Sequence, residues 1–376
     1  MHLRQLSLIN FKNYSEFEAR FSQKINCFVG NNGMGKTNLL DAIHYLSFCK
    51  SFFNSADSQN IRHDAGFFVI QGYFEKFGEE HEVYCGLKRN QKKIFKRNKR
   101  EYDRLSEHIG QFPLVMISPS DSELINGSSE WRRKFLDGII SQYDKNYLDK
   151  LIAYNQALKQ RNALLKHFAG SHTFDSETLE IWDEQLVMHG RVIVAIRNEF
   201  LKQFIPLFNS YYHFISDSGE EVGLRYENSV GERDFKTALL TSLPRDRASQ
   251  FTTVGPHKDD LEFTLQQFSL KKYASQGQQK SYLLALKLAQ FEFIKEQKNT
   301  KPLLLLDDVY DKLDEKRFTK LLEMVSSDKF GQVFITDTHP DRMNELLNQK
   351  NIAHKIFLVD EGSAKQYGVN AGATIV

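Results

Sequence analysis

Cysteine is scarce in this chain. Only Cys27, Cys49 and Cys85 occur in 376 residues, and none forms a CxxC pair. That argues against a disulfide framework and against a paired-cysteine zinc site. Proline is scarce as well, with seven residues, and no stretch reads as a stiff linker. No apolar run approaches the roughly 20 residues of a membrane-spanning helix. The opening Met1-His2-Leu3-Arg4 is polar from its second residue, which predicts no signal peptide. Net charge is nearly absent, since 50 Lys+Arg against 48 Asp+Glu leave +2. Any affinity for nucleic acid must therefore come from local patches. Internal repeats and low-complexity segments are missing too. A reducing cytoplasm is the expected setting.

What is present suits an ordinary globular protein. Hydrophobic types make up 41% and charged types 26% of the chain, enough to build a core and too apolar for wholesale disorder. The length predicts two or three domains.

Apolar periodicity divides the chain. Leu3 to Ile9 alternates apolar and polar residues, as an exposed strand does. Ile25 to Val29 is a short buried run ending at Gly30, and Leu39 to Phe48 follows with helical spacing. From about Phe67 to Ile117 the runs are short and β-like. From Asp121 to about Tyr211 apolar residues recur at three and four. One stripe is Leu148, Leu151, Ile152 and Leu158; another is Leu179, Trp182, Leu186, Ile193, Ile196 and Phe200. The Ala169-Gly170-Ser171 break between them predicts an antiparallel helix pair too short for a coiled-coil arm. Strand-like runs resume at Leu261–Leu265, Leu303–Leu306, Val333–Ile335 and Ile356–Val359, with a helix over Gln278–Lys295. Glu221 to Val230 could be a further strand. The pattern predicts an α/β lobe of residues 1–117 and 251–376, interrupted by a mainly helical lobe of residues 118–250.

The strongest motif is Gly30-Asn31-Asn32-Gly33-Met34-Gly35-Lys36-Thr37. It satisfies GxxxxGK[ST], between a buried strand and an amphipathic helix. Glycines let successive backbone N–H groups point at phosphate oxygens, and the helix N-terminus favours the same anion. Gly30 to Thr37, with Asn38 after them, are the expected ATP contacts. Lys36 is expected at the β- and γ-phosphates, and the Thr37 hydroxyl on Mg²⁺.

Such a loop needs an acidic partner on another strand. Leu303-Leu304-Leu305-Leu306-Asp307-Asp308 supplies it, with the carboxylates at the C-terminal end of a buried run. Asp307 is expected to hold Mg²⁺, and Asp308 to orient or deprotonate the attacking water. About 270 residues separate the two motifs. That spacing points to an ABC-type ATPase head with a helical lobe inserted between them.

Those heads carry a signature upstream of the acidic strand. Tyr273-Ala274-Ser275-Gln276-Gly277-Gln278-Gln279-Lys280-Ser281 stands in that place. Ser275 is a natural N-cap, and the helix beyond it a second anion site. Two copies facing head to tail would set Ser275, Gln276, Gly277 and Gln278 of one against the ATP of the other. An ordinary capped helix is the plainer reading.

Taken together, these motifs resemble the RecF family of ABC/SMC-like ATPases. The resemblance runs through nearly the whole chain. It includes Leu6–Tyr14, Gly30–Leu40, Ser118-Pro119-Ser120-Asp121, Arg132–Asp137, Val254–Leu261, Ala274–Gln278 and Leu306–Val309. It implies an ABC-type head whose α/β lobe carries an N-terminal antiparallel β-subdomain. It also implies an ATP- and Mg²⁺-dependent homodimer on gapped, single- or double-stranded DNA, associated with the nucleoid. RecR and, indirectly, RecA would be its partners in repair and replication restart. Hydrolysis would be weak, DNA-stimulated and timed to release. Asp311–Asp314 occupies the D-loop position. His339 lies further along than the switch histidine of ABC proteins would, so Thr336 or Asp337 could hold that place. The alternative function is an ABC-type motor serving another partner chain.

The run Lys88 to Arg100 holds eight basic residues. Lys92, Lys93, Lys96, Arg97, Lys99 and Arg100 are the candidate DNA contacts, with Asn98-Lys99 as a hairpin turn. A solvated, lysine-protected sheet edge would have the same composition. Arg132, Arg133 and Lys134 form a second basic cluster, for DNA, nucleotide or the partner subunit. His257 is expected to be structural or interfacial, and Lys258-Asp259-Asp260 could be a charged turn.

Overall fold

The structure, a computed structural model, describes residues 1–216, 219–231, 233–308, 315–349 and 352–367. The segment Asp311–Asp314 lies outside them. The chain forms two compact units, residues 1–120 with 291–376, and residues 121–290.

The first unit holds two six-stranded sheets. One is antiparallel, in the order Tyr14–Arg20, His2–Phe11, Phe67–Lys76, Glu79–Lys88, Ile94–Arg97, Arg100–Glu101. Strand His2–Phe11 buries Leu3, Leu6, Leu8 and Phe11 on one face. A bulge between Leu3 and Gln5 explains why Leu3 and Leu6, three apart, share that face.

The second sheet runs Ser363–Gln366, His354–Asp360, Ile25–Val29, Val333–Asp337, Leu303–Leu306, Leu114–Ile117. All its pairings are parallel except the terminal hairpin of His354–Asp360 with Ser363–Gln366. Ile25–Val29, Leu303–Leu306, Val333–Asp337 and Leu114–Ile117 are buried at every position, as strands covered on both faces are. Phe21 packs edge-on against Phe28, Phe334 and Phe357 within the core.

Helix Lys36–Phe48 packs against strands of both sheets. It is therefore buried nearly all round and not amphipathic as its spacing suggested. Its inward polar groups are paired: Asp41 accepts from Ser51 Oγ (2.6 Å) and Phe52 N (2.7 Å), and Ser47 donates to Phe112 O (2.5 Å).

The second unit is mainly helical. Helices Lys145–Ser171 and Ser176–Ser216 lie along one another, and His172 closes the first with a left-handed φ of 54°. Helices Ser129–Tyr143 and Phe235–Ser249 add to the helical part. A three-stranded sheet, in the order Phe268–Ser269, Asp260–Leu265, Val222–Glu227, belongs to the same unit.

That sheet moves the second boundary. Residues 251–290, assigned from the sequence to the nucleotide-binding lobe, fall in the helical unit. Asp260–Leu265 pairs residue for residue with Val222–Glu227, and Tyr282 Oη donates to Gly223 O (2.7 Å). The division falls inside helix Gln276–Lys298.

Candidate nucleotide site

Strand Ile25–Val29 delivers the chain to a loop that only glycine can follow. Gly30, Gly33 and Gly35 have φ of 155°, 83° and 109°, a region where a Cβ is strained. A Cβ on Gly30 would stand 2.2 Å from Val359 O, and one on Gly35 2.3 Å from Asn13 Nδ2. Asn13 braces the loop from outside it. Its Nδ2 donates to Met34 O (3.0 Å), and its Oδ1 accepts from Asn38 Nδ2 (2.7 Å). Tyr14 Oη donates to Gly35 O (3.1 Å). Asn38 thus supports the loop through its side chain. Asn13 and Tyr14 were not among the expected site residues. Their signal was their place in the N-terminal run that carried the resemblance.

The loop's Asn31, Asn32 and Gly33 are exposed, but Lys36 is only 4% exposed. Its Nζ donates inward to Gly30 O (2.7 Å) and Asn31 O (3.0 Å), and reaches Asn32 Oδ1 at 3.4 Å. The ammonium is held by loop oxygens beneath the surface that the backbone lines.

The acidic end of Leu303–Leu306 reaches the same place. Thr37 Oγ1 donates to Asp307 Oδ1 at 2.8 Å. Burial pushes the Asp307 carboxyl up to about 6, the Thr37 hydroxyl opposing and the Asp308 charge adding to it. Asp308 has a left-handed φ of 46°. Its backbone N–H donates to Thr336 Oγ1 (2.8 Å), whose oxygen lies 3.0 Å from Asp307 Oδ1 and 3.2 Å from Asp308 Oδ1.

Thr336 and Asp337 were the two choices for the switch position, and they separate clearly. Thr336 faces the two carboxylates. Asp337 accepts two hydrogen bonds from Arg342 Nη2 (2.7 Å each) and one from His339 N (2.7 Å). The His339 side chain is 67% exposed and meets Thr338 Oγ1.

Among the described residues no group of three His, Cys, Asp or Glu gathers to form a metal cage. One hydroxyl and one carboxylate, Thr37 and Asp307, do meet. That sparse donor set fits Mg²⁺, which keeps waters and takes phosphate oxygens instead of an all-protein shell.

In the second unit, Ser275 caps helix Gln276–Lys298 with a reciprocal pair. Gln278 N donates to Ser275 Oγ (3.2 Å), and Ser275 N donates to Gln278 Oε1 (2.7 Å), a capping box. Gln278 Nε2 also donates to Glu220 Oε1 (2.6 Å). Ser275 and Gln276 are exposed and Gly277 is half-buried, so the helix N-terminus is open to solvent.

The basic hairpin forms as expected, with Asn98 and Lys99 at φ of 50° and 67°, the two left-handed residues of a type I′ turn. Its charges divide. Lys88, Arg89, Lys92, Lys99 and Arg100 are exposed, and Lys96 is half-buried. Lys93 is not available to a polyanion. Its Nζ binds Asp57 Oδ2 (2.7 Å), Cys49 O (2.6 Å) and Tyr45 Oη (3.1 Å), and its side chain is 11% exposed. Arg97 is drawn inward too, donating to Gln111 Oε1 (3.1 Å) above the Phe112 ring.

The second basic cluster serves its own unit. Arg132 pairs with both oxygens of Asp260 (2.7 and 2.9 Å), Arg133 donates to Asp259 O (2.7 Å), and Lys134 pairs with Glu130 (2.7 Å). His257 is structural: it hydrogen-bonds Tyr154 Oη (2.7 Å) and Thr252 O (3.0 Å). Burial lowers its pKa to about 4. Asp259 is buried, accepting from Tyr226 Oη and Ser229 N.

Residues 2–361 match the family model described as the RecF/RecN/SMC N terminal domain. The chain is 52% identical to the DNA replication and repair protein RecF of Phocaeicola vulgatus, over 97% of this chain and 98% of that one. It is similar to the solved structure of the recombination mediator protein RecF with ATP, of the RecFOR pathway. That likeness has a TM-score of 0.89 and 31% identity, covering 98% of each chain. An Smc head domain from Pyrococcus furiosus shares the fold at 19% identity, with a TM-score of 0.54 over 97% of this chain and 95% of that one. No helix among the described residues is long and apolar enough to cross a membrane.

Proposed function

Because this chain belongs to the RecF family, we propose that it is an ATP-dependent DNA-binding clamp of bacterial recombinational repair and replication restart. The observation that carries this reading is the 2.8 Å contact of Thr37 with Asp307. It joins a phosphate-binding loop to an acidic strand end in a chain half identical to RecF proteins.

In this reading Lys36 leaves the loop carbonyls for the β- and γ-phosphates, and the loop N–H groups line the phosphate chain. Thr37 and Asp307 would hold Mg²⁺, which would neutralise charge on the phosphate oxygens. Asp308 orients or deprotonates the attacking water. Ser275 and the open helix N-terminus behind it face the nucleotide of a second copy. Lys92, Lys99 and Arg100, with Lys96 beside them, meet DNA phosphates. Hydrolysis is weak, stimulated by DNA, and times release. RecR and, through it, RecA are the partners that a RecFOR pathway implies.

Mass in solution by light scattering tests the reading, with and without ATP–Mg²⁺ and gapped DNA. Wild type should double in mass with nucleotide, more so with DNA; Lys36→Arg should stay monomeric. Asp308→Asn should dimerise and persist as a dimer. A chain that remains monomeric in every condition would remove Ser275 from the site.

A further inference from the structure

Thr336 occupies the meeting point of both acidic residues without belonging to either motif. It lies on Val333–Asp337, between the strand that feeds the phosphate loop and the strand that ends in the carboxylates. Both ladders fix its backbone: Ile335 pairs with Leu306 on one side, and Thr336 with Phe28 on the other. The side chain is fully buried. A β-branched residue in such a strand has little rotamer freedom, so its hydroxyl direction is set by the backbone.

The hydroxyl has two tasks. It accepts the Asp308 N–H at 2.8 Å. Its single proton goes to a carboxylate oxygen, Asp307 Oδ1 at 3.0 Å or Asp308 Oδ1 at 3.2 Å. The chain changes neighbour at this point. Asp307 N still donates to Ile117 O (2.8 Å) on the outer strand, whereas Asp308 N turns to Thr336. Asp308 makes that turn in a left-handed conformation, φ 46°, which costs an L-residue energy unless its surroundings hold it there.

We propose that Thr336 is a positioning residue for ATP hydrolysis, its hydroxyl anchoring the turn that aims Asp308 while it steadies Asp307. The inference rests on the reading of Asp308 as the residue that handles the attacking water. In this role the contacts of Thr336 that matter are those to Asp307 and Asp308. Thr336 acts through Asp308, so its loss should slow turnover without loosening ATP. Valine has the same shape but offers the Asp308 N–H no acceptor. Serine keeps the hydroxyl and loses only a methyl group.

The test uses the full chain and measures single-turnover ATP hydrolysis beside the affinity for ATP–Mg²⁺. Thr336→Val should hydrolyse roughly 10–100-fold more slowly, the usual cost of removing a group that orients a reacting one. Its KM and ATP affinity should stay within about twofold of wild type. Thr336→Ser should recover most of the rate. Thr336→Ala, which also lacks the hydroxyl but leaves space where valine puts a methyl group, should be as slow as Val and stands in should Val not fold. A Thr336→Val/Asp308→Asn pair should be no slower than Asp308→Asn alone. Wild-type turnover in Thr336→Val, with Asp308→Asn slow, overturns this inference alone. Loss of ATP affinity in both Val and Ser variants overturns it as well, leaving only a packing role. Wild-type turnover in Asp308→Asn overturns the reading of Asp308 and the inference with it.

Discussion

The Thr37 hydroxyl donates to Asp307 Oδ1 at 2.8 Å across 270 positions of sequence. Each group thereby satisfies the other while lying where a metal ion and its phosphate oxygens would be bound. The pairing does not remove the cost of the carboxylate's burial. The Asp307 carboxyl is raised from 3.8 to about 6, first by desolvation, with the hydrogen bond only moderating it.

That cost sets a pH dependence. Below the ordinary carboxylate range Asp307 is protonated in both folded and unfolded chains and costs nothing. As pH rises, the unfolded chain releases its proton first, and stability drains until the folded carboxyl also ionises near 6. Asp307→Asn cannot ionise. It should therefore be more stable than wild type above about pH 6, by on the order of 1–3 kcal/mol, with the gap closing as pH falls toward about 4. Denaturant unfolding of the nucleotide-free protein across that range measures it. A gap of constant size at every pH would mean that burial of the charge is not the cause.

Gly35 offers a sharper mechanical test. Its φ of 109° and the 2.3 Å approach of an added Cβ to Asn13 Nδ2 are separate penalties. Gly35→Ala should cost about 1–3 kcal/mol for the backbone alone and weaken ATP binding. Adding Asn13→Ala removes the clash but not the strain, and also removes the brace on Met34 O and Asn38. The double variant should thus recover only part of the stability, read by thermal unfolding. Full recovery would show that the backbone conformation carries no strain.

The motifs that could be seen in the sequence were those confined to one segment. The loop from Gly30 to Thr37 and the run from Leu303 to Asp308 each contain their own context, so strand, turn and charge were readable together. Asn13 was not, and Thr336 stood only as one of two choices beside Asp337, because what each does depends on a neighbour brought in by the sheet. Lys93 looked like its exposed neighbours until Asp57 and Tyr45, from other segments, closed on it. Leu261 to Leu265 read correctly as a strand, but alternation says nothing about which sheet a strand joins. Its pairing with Val222–Glu227 placed residues 251–290 in the helical unit.

The division of the basic hairpin predicts two different phenotypes from adjacent residues. Lys92, Lys99 and Arg100 are exposed. Reversing all three to Glu should weaken binding to gapped DNA and lower the slope of log affinity against log salt by about two to three. ATP binding and thermal stability should be unchanged. Lys93→Ala should do the reverse, destabilising the fold by leaving Asp57 and the Cys49 carbonyl without their cation. A DNA affinity that the triple reversal leaves intact at every salt concentration would move the DNA contact elsewhere.

Ser275 combines a structural task with a proposed functional one, and the two can be separated by choice of substituent. Its Oγ accepts from Gln278 N, and its own N–H donates to Gln278 Oε1. Ser275→Ala removes the cap and should cost about 1 kcal/mol. It should also weaken ATP-dependent dimerisation, but that result alone could reflect a frayed helix. Aspartate caps a helix as well as serine does and favours its positive end. Ser275→Asp should therefore keep wild-type stability. The same carboxylate, set against the γ-phosphate of the facing copy, would repel it. Ser275→Asp should fold and bind ATP normally yet fail to double in mass with ATP–Mg²⁺ in light scattering. A stable Ser275→Asp variant that dimerises as well as wild type would leave Ser275 as a helix cap and nothing more.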